Sequence, residues 1–384
     1  MDKFHYVSYA QEVIFGSGAL NQLPQALERF GQRRLLLCTS RSQRDNGHLA
    51  ALRAHLGASL VEVYDQVVPH VQNAQVDEAY RRAAEKQVDA VIGLGGGSPI
   101  GMAKAVAAAL DKKMTGVDLR PAPPTDQPLV PVIAIPTTYA GSEMTAVYGI
   151  THSDEKPPRK VTVSDPKCSP KLVIYDPELT LNLPPELTAS TGINALAHCI
   201  EALYSITRHP LSTAAAASAA RYISATLLRC YTHGQDLEAR SGMLVGAHLA
   251  GLALSSVAMG LHHGLCHVLG GTANVPHGIA NSIILPHAIR FNAQVTAVQL
   301  LPAAEALGIG PDGHGPVPSV QAAADKVAEL SRRMRLPQQL RQAGVRKADL
   351  PSLAELAFQN RTVQNNPRPI TDAAQIEALL QDAW

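Results

Sequence analysis

Residues 89–107 read DAVIGLGGGSPIGMAKAVA, an apolar run that breaks into three glycines and a serine and then resumes as an Ala-rich segment. A short apolar run ended by glycine is a buried strand, and the small-residue stretch from about Pro99 onward is a helix. The unit is a strand, a turn and a helix, the building block of a parallel sheet. Glycines let backbone N–H groups approach a phosphate closely, and the helix N-terminus adds a dipole that favours its charge. Gly95, Gly96, Gly97 and Ser98 are therefore the candidate pyrophosphate cradle. The GxGxxG pattern stops at Ser98, where a third glycine is expected, and no acidic residue ends a strand at the usual distance. Taken alone, the stretch reads equally as a tight turn.

The flanking sequence repeats this alternation. RLLLCTS (34–40), SLVEVYD (59–65), VPVIAIP (130–136) and KLVIYDPEL (171–179) read as strands, and VQNAQVDEAYRRAAEKQ (71–87) reads as a helix. An α/β domain results, with a doubly wound, Rossmann-like parallel sheet. PAPPTDQPL (121–129) reads as a Pro-rich surface connection. From about Leu183 the texture changes to long Ala- and Leu-rich periodicity, as in PLSTAAAASAARYISATLLRCY (210–231), which predicts an all-α second domain. The expected division is 1–180 and 181–384, with DGHGPVPS (312–319) a loop between helices.

Composition narrows the function. Thirty-three basic against 32 acidic residues give a net charge of +1, and aromatics are 4%, so neither a basic field nor stacking rings for nucleic acid are present. The start, MDKFHYVSYAQEV, lacks the apolar core of a secretory signal, and LVGAHLAGLALSSVAMG (244–260) is interrupted by His248 and two serines. The expectation is a cytoplasmic protein without a membrane partner. Five cysteines, with no CxxC, read as reduced residues.

A second strand end, IPTTYAGSE (135–143), presents Thr137, Thr138, Tyr139 and Ser142, hydroxyls suited to phosphate or nicotinamide contacts outside the carboxyl end of a sheet. Ordinary turn chemistry is the competing account. Residues 261–277, LHHGLCHVLGGTANVPH, hold four histidines. On a helix His263 and His267 share a face, with His262 turned from it. His277 follows a glycine turn, and His198 lies one turn after Asn194 in NALAHCIEAL. A transition-metal site wants neutral imidazoles and an anionic ligand. Asn194 is neutral, which predicts weak metal affinity; each histidine alone is as readily a hydrogen-bonded structural residue.

At VIFGSGAL, GGGSPIGMAKAVA, IPTTYAGSEMT, LVIYDPELTLNLPPELTASTGINALAHCIEALYS, LHHGLCHVLGGTANVPHGIANSIILPHAIRFN and NNPRPIT, nearly end to end, the chain resembles the iron-containing (group III) alcohol dehydrogenase family. Within it the likeness is to the maleylacetate reductases. The resemblance implies a dehydroquinate synthase-like architecture, a homodimer, and NADH or NADPH in the cleft between domains with its pyrophosphate on Gly95 to Ser98. Ser40 stands where an Asp in some relatives would repel a 2'-phosphate. It also implies a degenerate metal site, Asn194, His198, His263 and His277, with no metal required, because metal-dependent members carry Asp at the Asn194 position. The implied reaction, in aromatic compound degradation, is reduction of maleylacetate to 3-oxoadipate by hydride transfer to the conjugated double bond. His263 and His198 would donate to the ketone oxygen, and His267 and His277 would supply the proton. Gly264 and PHGIANS (276–282) favour the alternative, a metal-dependent alcohol dehydrogenase acting on another small alcohol or carbonyl compound. A non-catalytic metal-binding module would leave both strand ends unexplained.

Overall fold

A computed structural model describes residues 4, 6–69, 71–115, 128–152, 159–310 and 315–384. Most of the Pro-rich connection, 121–127, and residues 312–314 of the expected loop lie outside the described residues. The chain divides into two compact units: Val7–Leu183, and Pro184–Trp384 together with Phe4 and Tyr6.

The first unit is an α/β sheet of six strands: β1 (Glu12–Phe15), β2 (Leu35–Cys38), β3 (Leu60–Tyr64), β4 (Ala90–Gly95), β5 (Val132–Pro136) and, after a hairpin, β8 (Leu172–Tyr175). Their order is β1-β8-β5-β4-β2-β3, and every neighbouring pair is parallel. The hairpin, β6 (Val147–His152) with β7 (Arg159–Ser164), is antiparallel and was not legible as such in the sequence. Helices α1 (Leu23–Phe30), α2 (Arg41–Asp45), α3 (His48–Leu56), α4 (Asn73–Glu85) and α5 (Gly97–Thr115) connect the strands.

The central strands read as unbroken apolar runs because both faces are covered. On β4, Ala90, Ile92 and Leu94 pack into one core with Leu23, Leu27 and Leu52 of α1 and α3. Val91 packs into the other core with Ala79 and Val106 of α4 and α5. From β2 the chain steps one way to β3, and from β4 the other way to β5 and β8. The switch point therefore lies between β2 and β4, whose carboxyl ends carry Ser40 and Gly95 to Ser98. In open α/β sheets this is where ligands bind. Thr39 Oγ1 ties the two strand ends together by donating to the Leu94 carbonyl at 2.9 Å.

The second unit is helical throughout its described residues: α6 (Pro185–Tyr204), α7 (Pro210–Thr232), α8 (Leu237–Ser256), α9 (Leu261–Thr272), α10 (His277–Ala306), α11 (Pro316–Arg333), α12 (Leu350–Phe358), α13 (Arg361–Gln364) and α14 (Ala373–Asp382), with short 3-10 turns. The expected loop at 312–319 ends earlier than anticipated, because Gly315, at φ 91°, releases the chain directly into α11 at Pro316. Helix α6 is the hub, buried at almost every residue from Thr188 to Tyr204. Among the described residues no single helix is long and apolar enough to cross a membrane, although α8 and α9 pass such a test as a pair bent by 98°. All five cysteines are free and buried.

Candidate active site

The four histidines singled out in the sequence come together in the helical unit. His198 stacks on His263 with ring centroids 4.8 Å apart, His277 lies 6.1 Å from His263, and His267 stacks on His277 at 5.8 Å. His263 and His267 are 6.5 Å apart, as the i, i+4 spacing requires. Asn194 and His198 share a face of α6 by the same rule, and both are buried. What brings α10, and with it His277, against α6 is Gly278. A Cβ there would stand 2.7 Å from Ser190 Cβ and 3.0 Å from the Ser190 backbone, so only glycine permits the approach. His267, by contrast, is exposed, and His277 is half-buried.

His262 is not turned out of the cluster. It is fully buried, edge-on to His263 at 4.8 Å, with Nε2 near the Asn281 carbonyl (3.4 Å) and Nδ1 3.2 Å from His263 Nδ1. Burial, and after it the neighbouring imidazoles, push the His198 pKa well down, and burial first pushes those of His262 and His263 down to about 3. All three rings are neutral at physiological pH. His198 Nδ1 and His263 Nε2 are buried with no hydrogen-bond partner among the described residues. Two unsatisfied imidazole nitrogens in a dry cluster mark a place where a cation or a polar ligand belongs.

The decisive residue missed in the sequence is Glu201, one turn after His198 on α6. Its side chain is fully buried and accepts at 2.5 Å from His263 Nδ1. Its oxygens also accept from the backbone N–H groups of Gly260 and His262 at 3.1 Å and His263 at 3.2 Å, and from Tyr204 Oη at 3.1 Å. These backbone donors open α9, where helix N–H groups lack internal partners and the dipole favours an anion. Burial pushes the Glu201 carboxyl up, while this ring of donors pulls toward the ionised form. The signal was present as HCIEAL, a carboxylate at i+3 from a candidate ligand.

In the α/β unit the glycine turn keeps its expected form. Gly95 sits at φ 136°, and α5 starts at Gly97 rather than near Pro99, its first bond running from Ile100 N–H to the Gly96 carbonyl. The N–H groups of Gly97 and Ser98 thus sit in the first turn of a 19-residue helix. Thr138 stands 3.1 Å from the position a Cβ on Gly96 would take, and Ser142 Cβ 3.9 Å from that on Gly97, so the TTYAGS segment lines the turn. Thr137 is buried with its Oγ1 unpartnered among the described residues. Tyr139, in the same segment, is fully buried.

Lys104, a buried cation on α5 and also missed, holds this segment. Its Nζ donates to the carbonyls of Ser142 (2.6 Å), Thr145 (2.7 Å) and Val147 (3.0 Å), although burial lowers its pKa to about 8. Ser40 opens α2, its Oγ 2.9 Å from Ser42 Oγ, and the nearby Arg44 is ion-paired to Asp65 at 2.9 Å.

The description "Iron-containing alcohol dehydrogenase" matches residues 10–177, and "Fe-containing alcohol dehydrogenase family, C-terminal" matches residues 188–384. The chain belongs to the iron-containing alcohol dehydrogenase family. It is 37% identical over 374 residues to maleylacetate reductase of Pseudomonas knackmussii, covering 97% of this chain and 95% of that one. The maleylacetate reductase of Burkholderia cepacia is 35% identical, with 100% and 98% covered. Among solved structures, maleylacetate reductase from Agrobacterium tumefaciens superposes with a TM-score of 0.85 at 32% identity, covering 100% and 99%. A 1,3-propanediol oxidoreductase does so at 0.92 with 29% identity, covering 100% of each chain. This protein is accordingly an oxidoreductase, with the parallel-sheet and helical architecture expected from its sequence.

One expectation is overturned. From the sequence alone no metal is expected to be required, because Asn194 brings no charge to the imidazoles. The family is iron-containing, which implies bound iron in addition to NAD(P)H, and the missing charge is present after all. Glu201, His262 and His263 each offer one atom within 4.8 Å of the others, a buried group able to hold a metal ion. With the unsatisfied His198 and His263 nitrogens, the donor set fits a divalent cation.

Proposed function

We propose that this family member reduces maleylacetate to 3-oxoadipate with NADH or NADPH, adding hydride to the conjugated double bond. The gathering of His198, His263, His267 and His277 into one cluster carries this reading, together with full-length likeness to several maleylacetate reductases. The pyrophosphate rests on Gly95, Gly96, Gly97 and Ser98, with Thr137, Thr138, Ser142 and Ser40 around it and Tyr139 behind. His198, His263 and His277, beside Asn194, would hold the iron. When bound, the ion supplies positive charge that polarises the substrate's carbonyl oxygen.

Hydride adds at the carbon beta to the ketone and leaves an enolate, whose alpha carbon then takes one proton. An imidazole of ordinary basicity suits that transfer, since near physiological pH it can take a proton from solvent and pass it on as imidazolium. His267 is exposed and stacked on His277, so the pair connects solvent to the buried rings and is assigned the proton supply. Burial of His198, His262 and His263 excludes water from the carbonyl end of the substrate, which strengthens each dipole there. We assign the protein to aromatic compound degradation, as a cytoplasmic homodimer. Its near-zero net charge and small-molecule chemistry call for no nucleic-acid partner.

The test is purified protein mixed with NADH and maleylacetate, following NADH absorbance and identifying the product by mass spectrometry. Stoichiometric 3-oxoadipate is expected. NADH left unconsumed with maleylacetate, alongside oxidation of simple diols by NAD, would replace this reading with the alcohol dehydrogenase one.

A further inference from the structure

We infer that Glu201 is the positioning residue of the cluster: it fixes His263 in the tautomer protonated at Nδ1, so that Nε2 presents a lone pair to the site. This deepens the site assignment of the preceding section and rests on it for the identity of the metal.

Every other polar group within hydrogen-bond distance of the Glu201 carboxylate is a donor. One oxygen takes the Gly260 and His262 N–H groups and Tyr204 Oη, and the other takes the His263 N–H and His263 Nδ1. A carboxylate so surrounded accepts from His263, which puts the ring proton on Nδ1. The remaining nitrogen, Nε2, then carries the lone pair, and it is the buried atom without a partner among the described residues. His262 agrees with this assignment. Its Nε2–H faces the Asn281 carbonyl, so its own Nδ1 accepts a share of the His263 proton at 3.2 Å.

The same census separates orienting from ligating. With N–H dipoles aimed at both of its oxygens, Glu201 is occupied as an acceptor in this arrangement, and the ring nitrogens free to face a cation are His263 Nε2 and His198 Nδ1. It acts through His263 instead, raising the basicity of the far nitrogen as carboxylates behind metal-bound histidines do.

The closing NNPRPIT motif, unexplained by the reaction, completes the support. Asn366 Oδ1 accepts from Leu261 N–H at 3.4 Å, the remaining orphan donor at the start of α9. Asn366 and Asn292 are joined by reciprocal amide bonds of 2.7 and 3.1 Å. Residues from α6, α10 and the 365–371 segment thus clamp the helix end that carries His263.

Nitrogen-15 spectra of the full-length protein labelled at histidine test this, with His263 assigned by the signal lost in His263→Gln. The wild type is expected to show protonated Nδ1 and unprotonated Nε2, a result that needs no variant to fold and no substrate. Glu201→Gln must place its NH2 group toward one oxygen position. The position facing two backbone N–H groups and Tyr204 Oη rejects it more strongly, so it turns to His263 and reverses the tautomer. Affinity for ferrous iron alone, titrated anaerobically, should fall about 10- to 100-fold. Tyr204→Phe, which keeps the carboxylate, should retain both the tautomer and the affinity. A wild-type ring protonated at Nε2, or a Glu201→Gln protein keeping Nδ1–H and wild-type iron affinity, overturns the inference. Failure to turn over maleylacetate with the tautomer as stated would instead indict the substrate assignment alone.

Discussion

Replacing Gly278 with alanine should damage catalysis through geometry alone, since no hydrogen bond or charge is removed. The new Cβ would lie 2.7 Å from Ser190 Cβ and 3.0 Å from the Ser190 carbonyl carbon and oxygen. To restore an ordinary 3.4 Å contact, the start of α10 must withdraw from α6 by about 0.7 Å. His277, the adjacent residue, moves with it, away from the rings of His263 and His198. Overpacking of this kind costs about 1 to 3 kcal/mol of stability. A displacement near 1 Å of a reacting group costs on the order of 100-fold in rate, so a 10- to 100-fold fall in turnover is expected. The assay is steady-state NADH oxidation on maleylacetate, read beside the melting midpoint and the NADH dissociation constant. Turnover should fall while NADH binding stays unchanged. In a Ser190→Gly background the closest clash disappears but the backbone contacts at 3.0 Å remain, so recovery should be partial. Wild-type turnover in a measurably destabilised Gly278→Ala protein would show that the spacing between α6 and α10 does not govern the chemistry.

Three further outcomes are expected. His263→Ala should lower turnover by two or more orders of magnitude with NADH affinity nearly intact; unchanged turnover would remove His263 from the mechanism. Thr137→Val removes a buried hydroxyl that lacks a partner among the described residues, so the free protein should be as stable or slightly more so. NADH affinity should meanwhile drop by about 0.5 to 1.5 kcal/mol, measured by fluorescence titration, and equal affinity would detach Thr137 from the cofactor. Acid should destabilise the protein through its buried imidazoles. His262 and His263 titrate near 3 when folded and near 6.5 when unfolded, so between those values the unfolded state binds more protons and stability falls as pH falls. The bound is roughly 5 kcal/mol for each ring, checked by melting midpoints between pH 7 and 4, where a flat profile would contradict their burial as neutral groups.

The strands β2, β4, β5 and β8 were legible because residues buried on both sheet faces must be apolar without interruption, and α6 and α7 because their Ala-rich periodicity suits no strand. The glycine turn was legible for a similar reason: a backbone that turns at positive φ, as at Gly95, leaves its mark in residue type. The β6–β7 hairpin was not, since half-exposed residues such as Tyr148 and Ile150 carry no strong alternation. At the site, spacing alone placed His263 with His267 and Asn194 with His198, as helical geometry dictates.

What the linear chain determined by itself, then, was the set of histidines and the two sheet ends, because those depend on residue chemistry and local periodicity. Only the tertiary structure decided their electrostatics. Glu201, an unremarkable residue in HCIEAL, becomes the counter-charge of the cluster when α9 packs its N-terminus onto α6. Asn194 had suggested a site without charge, but charge in a folded protein is set by which groups meet across helices, and sixty-two residues separate Glu201 from His263.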